Sequence, residues 1–72
     1  MNRVPVSSSN VASVGYDAST STLEVEFKGG GIYQYFDIPP AVHTGLLAAS
    51  SIGSYLNVNI KKAEYRYKQI SA

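Results

Sequence analysis

The stretch from Thr22 to Asp37, TLEVEFKGGGIYQYFD, is two alternating runs joined by three glycines. In the first run Leu23, Val25 and Phe27 share one face, and Glu24, Glu26 and Lys28 share the other. That pattern predicts a strand with one buried and one wet face, as in an antiparallel sheet covered on one side. The glycines tolerate the positive φ of a tight hairpin turn, so Ile32 to Ile38 returns as the partner strand. The turn type fixes which side chains enter the core. A two-residue turn would place Ile32, Gln34 and Phe36 inward, whereas a three-residue turn with a bulge would place Tyr33 and Tyr35 there. The bulged turn is expected, because the alternative buries the Gln34 amide between apolar neighbours.

Other elements follow from the same periodicities. Residues 1–10 contain Pro5 and Ser7-Ser8-Ser9-Asn10 and read as an irregular lead-in. Residues 11–70 read as one domain. Val11 to Tyr16 predicts a strand with Ala12, Val14 and Tyr16 on one face and Ser13 and Gly15 on the other. Asp17 to Ser21 is a polar turn. Pro39-Pro40 ends the third strand, and the second proline suits a first helical turn. Ala41 to Ala49 predicts a short helix with Val42, Leu46 and Ala49 along one side, in which Gly45 costs about 1 kcal/mol relative to alanine. Ser50 or Ser51 is the N-cap of a second helix, whose Ile52, Tyr55, Leu56, Asn59 and Ile60 share a face. A final strand runs from Tyr65 to Ile70. The expected fold class is α+β, an antiparallel sheet of three to four strands with two short helices packed on one face. Leu23, Val25, Phe27, Leu46, Ile52 and Leu56 are the expected core.

Composition narrows function by exclusion. The chain has 72 residues, no cysteine and one histidine, which leaves no disulfide, thiolate metal site or histidine cluster. No metal or cofactor is expected. No apolar run approaches the ~20 residues of a membrane span, and MNRVPVSSSN lacks the apolar region of a secretory signal. The expected setting is cytoplasmic, with no membrane contact. Residues 1–60 carry Arg3 and Lys28 against Asp17, Glu24, Glu26 and Asp37, a net −2, while Lys61, Lys62, Arg66 and Lys68 against Glu64 give residues 61–72 a net +3. This C-terminal excess is the place where an anionic partner would dock.

No catalytic constellation stands out, and the chain is not expected to be an enzyme. His43 lacks a nucleophile motif and reads as an exposed helix residue. Glu24 and Glu26 lie on the predicted wet face and read as solvated charges. The glycine run leads into a strand, not a helix, so it is a turn and not a phosphate loop. The tyrosine pairs are the open question. Tyr33 and Tyr35 are either a stacking platform for unpaired bases or part of the core, and the carboxylates beside a platform would repel phosphate, which favours the core. Tyr65 and Tyr67, among Lys61, Lys62, Arg66 and Lys68, are the candidate binding residues, although Arg66 and Lys68 must point away from them in a regular strand.

The ordered segments SSSNVASVGYD, TLEVEF, YQYFDIPP, SIGSYLNVNI and YRYKQI, from about Ser7 to Ile70, resemble the KTSC domain. That family is named for a C-terminal extension of some lysyl-tRNA synthetases and also occurs as small stand-alone bacterial and phage proteins. Tyr33-Gln34-Tyr35 matches its central motif and is read as structural. Lys61-Lys62-Ala63-Glu64 stands where relatives often have a glycine and more arginines, which lowers the local positive charge. The resemblance implies a small interaction module that binds RNA or a tRNA-associated protein. The alternative is a protein-binding or self-associating accessory module, phage-derived in one version, with no nucleic-acid role.

Overall fold

The computed structural model describes residues 1–71. One antiparallel sheet of five strands runs in sequence order: β1 (Val4–Pro5), β2 (Val11–Asp17), β3 (Thr22–Phe27), β4 (Ile32–Tyr35) and β5 (Tyr67–Ser71). Two helices, α1 (Pro40–Ala48) and α2 (Ile52–Leu56), lie between β4 and β5. The class is α+β as expected, but the strand count of three to four is corrected to five. The strand missed lies in the lead-in: Val4 pairs with Val14 and Pro5 with Ser13. Two residues carry no readable alternation, and proline is tolerated there because β1 is an edge.

The glycine hairpin takes the bulged form. Phe27 N–H donates to the Gly31 carbonyl and Gly30 N–H to the Phe27 carbonyl, both at 3.1 Å. Gly30 and Gly31 adopt φ of +114° and +93°, which L side chains avoid. The resulting register sets Val25 opposite Tyr33 and Leu23 opposite Tyr35, so both tyrosines share the core face. A second irregularity falls between Val11 and Ser13 in β2. It brings Val11, not Ala12 as the alternation implied, into the buried set with Val14.

The helices cover that face. Pro40 occupies the first turn of α1, where no N–H is needed. Ser51 caps α2, accepting from Ser54 N–H at 3.4 Å. Helical winding continues from Asn57 to Lys61 as a wider π turn, and Ile52, Leu56 and Ile60 all reach the core. Gly45 has a packing reason: a Cβ there would lie 2.2 Å from the Tyr55 hydroxyl of α2. Of the expected core, Leu23, Val25, Leu46, Ile52 and Leu56 are buried, while Phe27 is half-buried at the margin. Val11, Val14, Tyr35, Ile38 and Ile60 complete it.

The opposite face is not the solvated surface expected for Glu24 and Glu26. Glu24 is 5% exposed. The N-terminal segment crosses over it: the Arg3 guanidinium pairs with the Glu24 carboxylate, Gln34 Nε2 donates to Glu24 at 3.0 Å, and Arg3 Nε donates to Ser13 Oγ at 3.0 Å. Ser13 Oγ in turn donates to Glu26 at 2.8 Å. Gly15 lies directly beneath the strap, since a Cβ there would meet the Asn2 carbonyl at 2.7 Å. Burial pushes the Glu24 pKa up, but the hydrogen bonds from Gln34 and Arg3 and the charge of Arg3 outweigh it. The carboxyl therefore titrates below its usual 4.5.

Removing Arg3 leaves a buried carboxylate with one partner fewer, so Arg3→Ala should cost about 2 kcal/mol near neutral pH. A folded pKa below the unfolded value contributes stability that is present above the unfolded pKa and is lost as pH falls through the folded one. Urea denaturation should show the deficit largest at about pH 7 and smaller at about pH 3. An equal deficit at both would show that Arg3 acts through packing alone.

Candidate ligand cleft

The core face of the sheet extends past the helices. Phe27 from β3, Tyr33 and Tyr35 from β4 and Tyr67 from β5 continue it toward one edge, and the connection into β5, from Lys61 to Tyr65, forms the other wall. Between them is a cleft of about 660 Å³, closed at the turn end by Gly30. That is the size range of sites that take a drug-sized molecule or a nucleotide.

The two tyrosine pairs and Phe27 form a continuous aromatic array. Phe27 meets Tyr33 edge-on at 5.7 Å between centroids, and Tyr67 lies tilted toward Tyr33 at 6.1 Å and Tyr35 at 5.8 Å. Tyr35 is at the core end and 4% exposed, whereas Tyr67 is 65% exposed at the rim. Burial, and then the neighbouring Tyr33 and Tyr67, push the Tyr35 phenol up to about 12, so it remains a neutral hydroxyl. Tyr65 is half-buried on the connecting segment. Lys61, the last residue of the π turn, holds its Nζ 4.8 Å from the Phe27 centroid, a cation–π distance. Glu64 completes the lining with φ +62°.

Of the residues singled out in the sequence, the structure gathers Lys61, Tyr65, Tyr67, Tyr33 and Tyr35 into this cleft. Lys62, Arg66 and Lys68 do not line it. Lys62 follows the π turn on the surface, and Arg66 pairs with Asp37 at 2.9 Å with its guanidinium 5.6 Å from the Phe36 centroid. Lys68 stands opposite Gln34, on the sheet's other face. Strand alternation separates Lys68 from Tyr67, as the Tyr65 to Ile70 pattern implied, although β5 begins at Tyr67 and not at Tyr65. Phe27 and Glu64 were missed as site residues: Phe27 was assigned to the core and Glu64 counted only as a charge. Phe27 was recoverable, since its face continues the alternation of β3 beyond what nine- and five-residue helices cover.

His43 is corrected from an exposed helix residue to a half-buried one. Its ring stacks on Tyr16 with centroids 4.5 Å apart, and burial lowers its pKa. The Tyr16 hydroxyl donates to the Ile38 carbonyl, which fixes this pair against the start of α1. Among the described residues no cluster of three or more His, Cys, Asp or Glu side chains could hold a metal ion, and no helix is long and apolar enough to cross a membrane.

Comparison with known proteins adds identity to this geometry. The KTSC domain profile matches residues 7–67, which run from the start of the serine cluster to Tyr67 in the cleft. The chain belongs to the KTSC domain family. A crystal structure of a KTSC domain protein from Yersinia pestis superposes with a TM-score of 0.91 at 36% identity, over 96% of each chain. An uncharacterised protein of Stutzerimonas stutzeri is 44% identical across 97% of this chain and 99% of its own length. A lysine–tRNA ligase of Nostoc punctiforme is 39% identical over 56 residues, which are 78% of this chain and 10% of the ligase.

The array divides into structural and accessible rings, and stability should separate them. Tyr35→Ala, at the buried end, should cost about 3 kcal/mol or more. Tyr67→Ala, at the exposed rim, should cost under about 1 kcal/mol. Equal losses in denaturant midpoint would mean that Tyr67 is a core residue and not a cleft rim.

Proposed function

We propose that this KTSC domain is a non-catalytic interaction module of the cytoplasm whose aromatic cleft takes an unpaired base of RNA, with tRNA as the specific candidate. One observation carries the reading: Phe27, Tyr33, Tyr35, Tyr65 and Tyr67 line a single open cleft together with Lys61. Aromatic rings on a sheet face are how many RNA-binding folds hold unstacked bases, and each stacked base contributes about 1–3 kcal/mol. Glu24 and Glu26, the carboxylates that argued against a platform, are on the other side of the sheet, tied to Arg3 and Ser13, which leaves Glu64 as the acidic residue at the cleft among the described residues. The segment shared with a lysine–tRNA ligase supports tRNA as the context in which the cleft works.

The charge distribution sets what kind of RNA binding this is. Among the described residues Lys61 is the one cation lining the cleft, so stacking dominates and phosphate contributes little. Non-specific grip along a duplex would need many phosphate contacts, which this surface does not gather. An unpaired end or loop, entering base-first, suits the shape.

Titration of the protein with short single-stranded RNA and bulk tRNA, followed by NMR chemical shifts, tests this. Signals of Tyr65, Tyr67 and Lys61 should move. Tyr67→Ala should weaken binding by roughly 1–3 kcal/mol. Lys61→Gln should lower the salt slope by about 0.7, one single-strand phosphate contact. Gln at positions 62, 66 and 68 should leave shifts within the cleft unchanged. An absence of any RNA shift, with a mass that rises with concentration, would replace this reading by self-association.

A further inference from the structure

Among the described residues, the lining of the cleft contains one carboxylate, that of Glu64. Glu64 holds φ +62°, a left-handed backbone conformation that glycine or asparagine adopts far more readily. Its N–H donates to the Lys61 carbonyl at 3.3 Å, a tight reversal that turns the chain from the π turn into β5. Ser21 and Asp37 share this conformation, so the backbone shapes the turn at Glu64 and the placement of its side chain in the cleft wall is what sets it apart. Glutamate has no local hydrogen-bonding advantage there comparable to that of asparagine. Its carboxylate makes no ion pair among the described residues: the pairs formed are Arg3 with Glu24 and Arg66 with Asp37. An acceptor-only side chain without an ion pair among the described residues thus stands at the wall of an aromatic cleft.

We infer that Glu64 makes the cleft selective for guanine among unpaired bases. The inference rests on the reading of the cleft as a base-binding site and adds the identity of the base. An ionised carboxylate accepts hydrogen bonds through two oxygens and donates none. Guanine is the base whose Watson–Crick edge presents two adjacent donors, N1–H and the N2 amino group, matching a carboxylate two-for-two. Adenine and cytosine each present one amino donor beside a ring-nitrogen acceptor, which a carboxylate repels. Uracil presents N3–H flanked by two carbonyl oxygens, which it repels twice. Guanine's remaining edge atom, O6, is an acceptor, and a tyrosine hydroxyl of the cleft can donate to it. The rings supply stacking to every base alike, so discrimination falls to Glu64.

The probes are single-stranded hexauridylate and the same hexamer with G, A or C at one central position, titrated against the intact 72-residue chain. Binding is read from the ring signals of Tyr65 and Tyr67. The G-containing hexamer should bind roughly tenfold tighter than the others, the scale of one good bidentate base contact. Glu64→Gln should bring its affinity down to that of the A-containing hexamer and leave the latter unchanged. Glu64→Gly, which also removes the carboxylate but suits the left-handed backbone, should do the same. This second variant guards against a loss of fold in the first. Equal affinity for all four hexamers would overturn the guanine assignment while leaving the base-binding cleft standing. A preference for G that survives both substitutions would equally remove Glu64 from the role. No binding of any hexamer would bring down both readings together.

Discussion

One residue of register in the β3–β4 hairpin decides what this domain is. The bulged turn, held by positive φ at Gly30 and Gly31, places Tyr33 and Tyr35 beside Leu23 and Val25 and leaves Gln34 opposite Glu24. Because strand side chains alternate with a period of two, slipping by one residue would exchange every one of these positions. The tyrosines would then face the N-terminal strap, and the Gln34 amide would be pressed against Leu46, Leu56 and their neighbours. The aromatic cleft on one face and the polar network on the other are therefore alternatives to nothing local; both descend from the same turn.

The polar network shows how a sheet in so small a protein gains a second covered face without a second helical layer. Two residues of β1 are too few to hold an edge by backbone pairing alone. Arg3 supplies the rest, reaching across β2 to Ser13 and on to Glu24 in β3, where Gln34 of β4 meets the same carboxylate. Through this network the residue just before β1 is tied to β2 and β3 directly and to β4 by way of Glu24. Glycine at position 15 lets the strap lie flat against the sheet, since the Asn2 carbonyl occupies the space a Cβ would need. Charged groups that resemble solvated surface in the sequence are in this way internal fasteners.

Local signals were legible where their cause was local. The bulged turn followed from the cost of burying Gln34, the start of α1 from Pro40 and the start of α2 from a cap at Ser50 or Ser51, of which Ser51 serves. What the sequence did not disclose depends on segments far apart in the chain. Glu24 alternates as a wet residue does, and nothing near it announces Arg3, 21 positions away. The partial burial of His43 needs Tyr16 from β2, and the displacement of Ala12 by Val11 needs a bulge with no glycine to mark it. The candidate site was half legible for the same reason. Tyr65, Tyr67 and Lys61 were singled out by their neighbourhood of charge, whereas Phe27 and Glu64 join them through the fold alone.

The question posed by the tyrosines, core or platform, has a graded answer, and the grading follows from size. A chain of 72 residues with two phenylalanines and no tryptophan has little bulk to spare for separate roles. Its aromatic array begins as core at Tyr35 and ends as accessible surface at Tyr67, with Tyr33 and Phe27 half-buried between them. Packing and recognition then share one set of contacts. A molecule that inserts into the cleft buries rings already in contact with Leu23 and Val25 through Tyr33 and Tyr35, so its binding energy adds to the stability of the fold by mass action. Lys61 extends the coupling to the helical layer. Its neighbour Ile60 is fully buried, and its ammonium rests over Phe27 at the cleft's edge. In a protein with so few residues, no layer separates the cleft from the core: the ring that lines it at Tyr35 is itself part of the core.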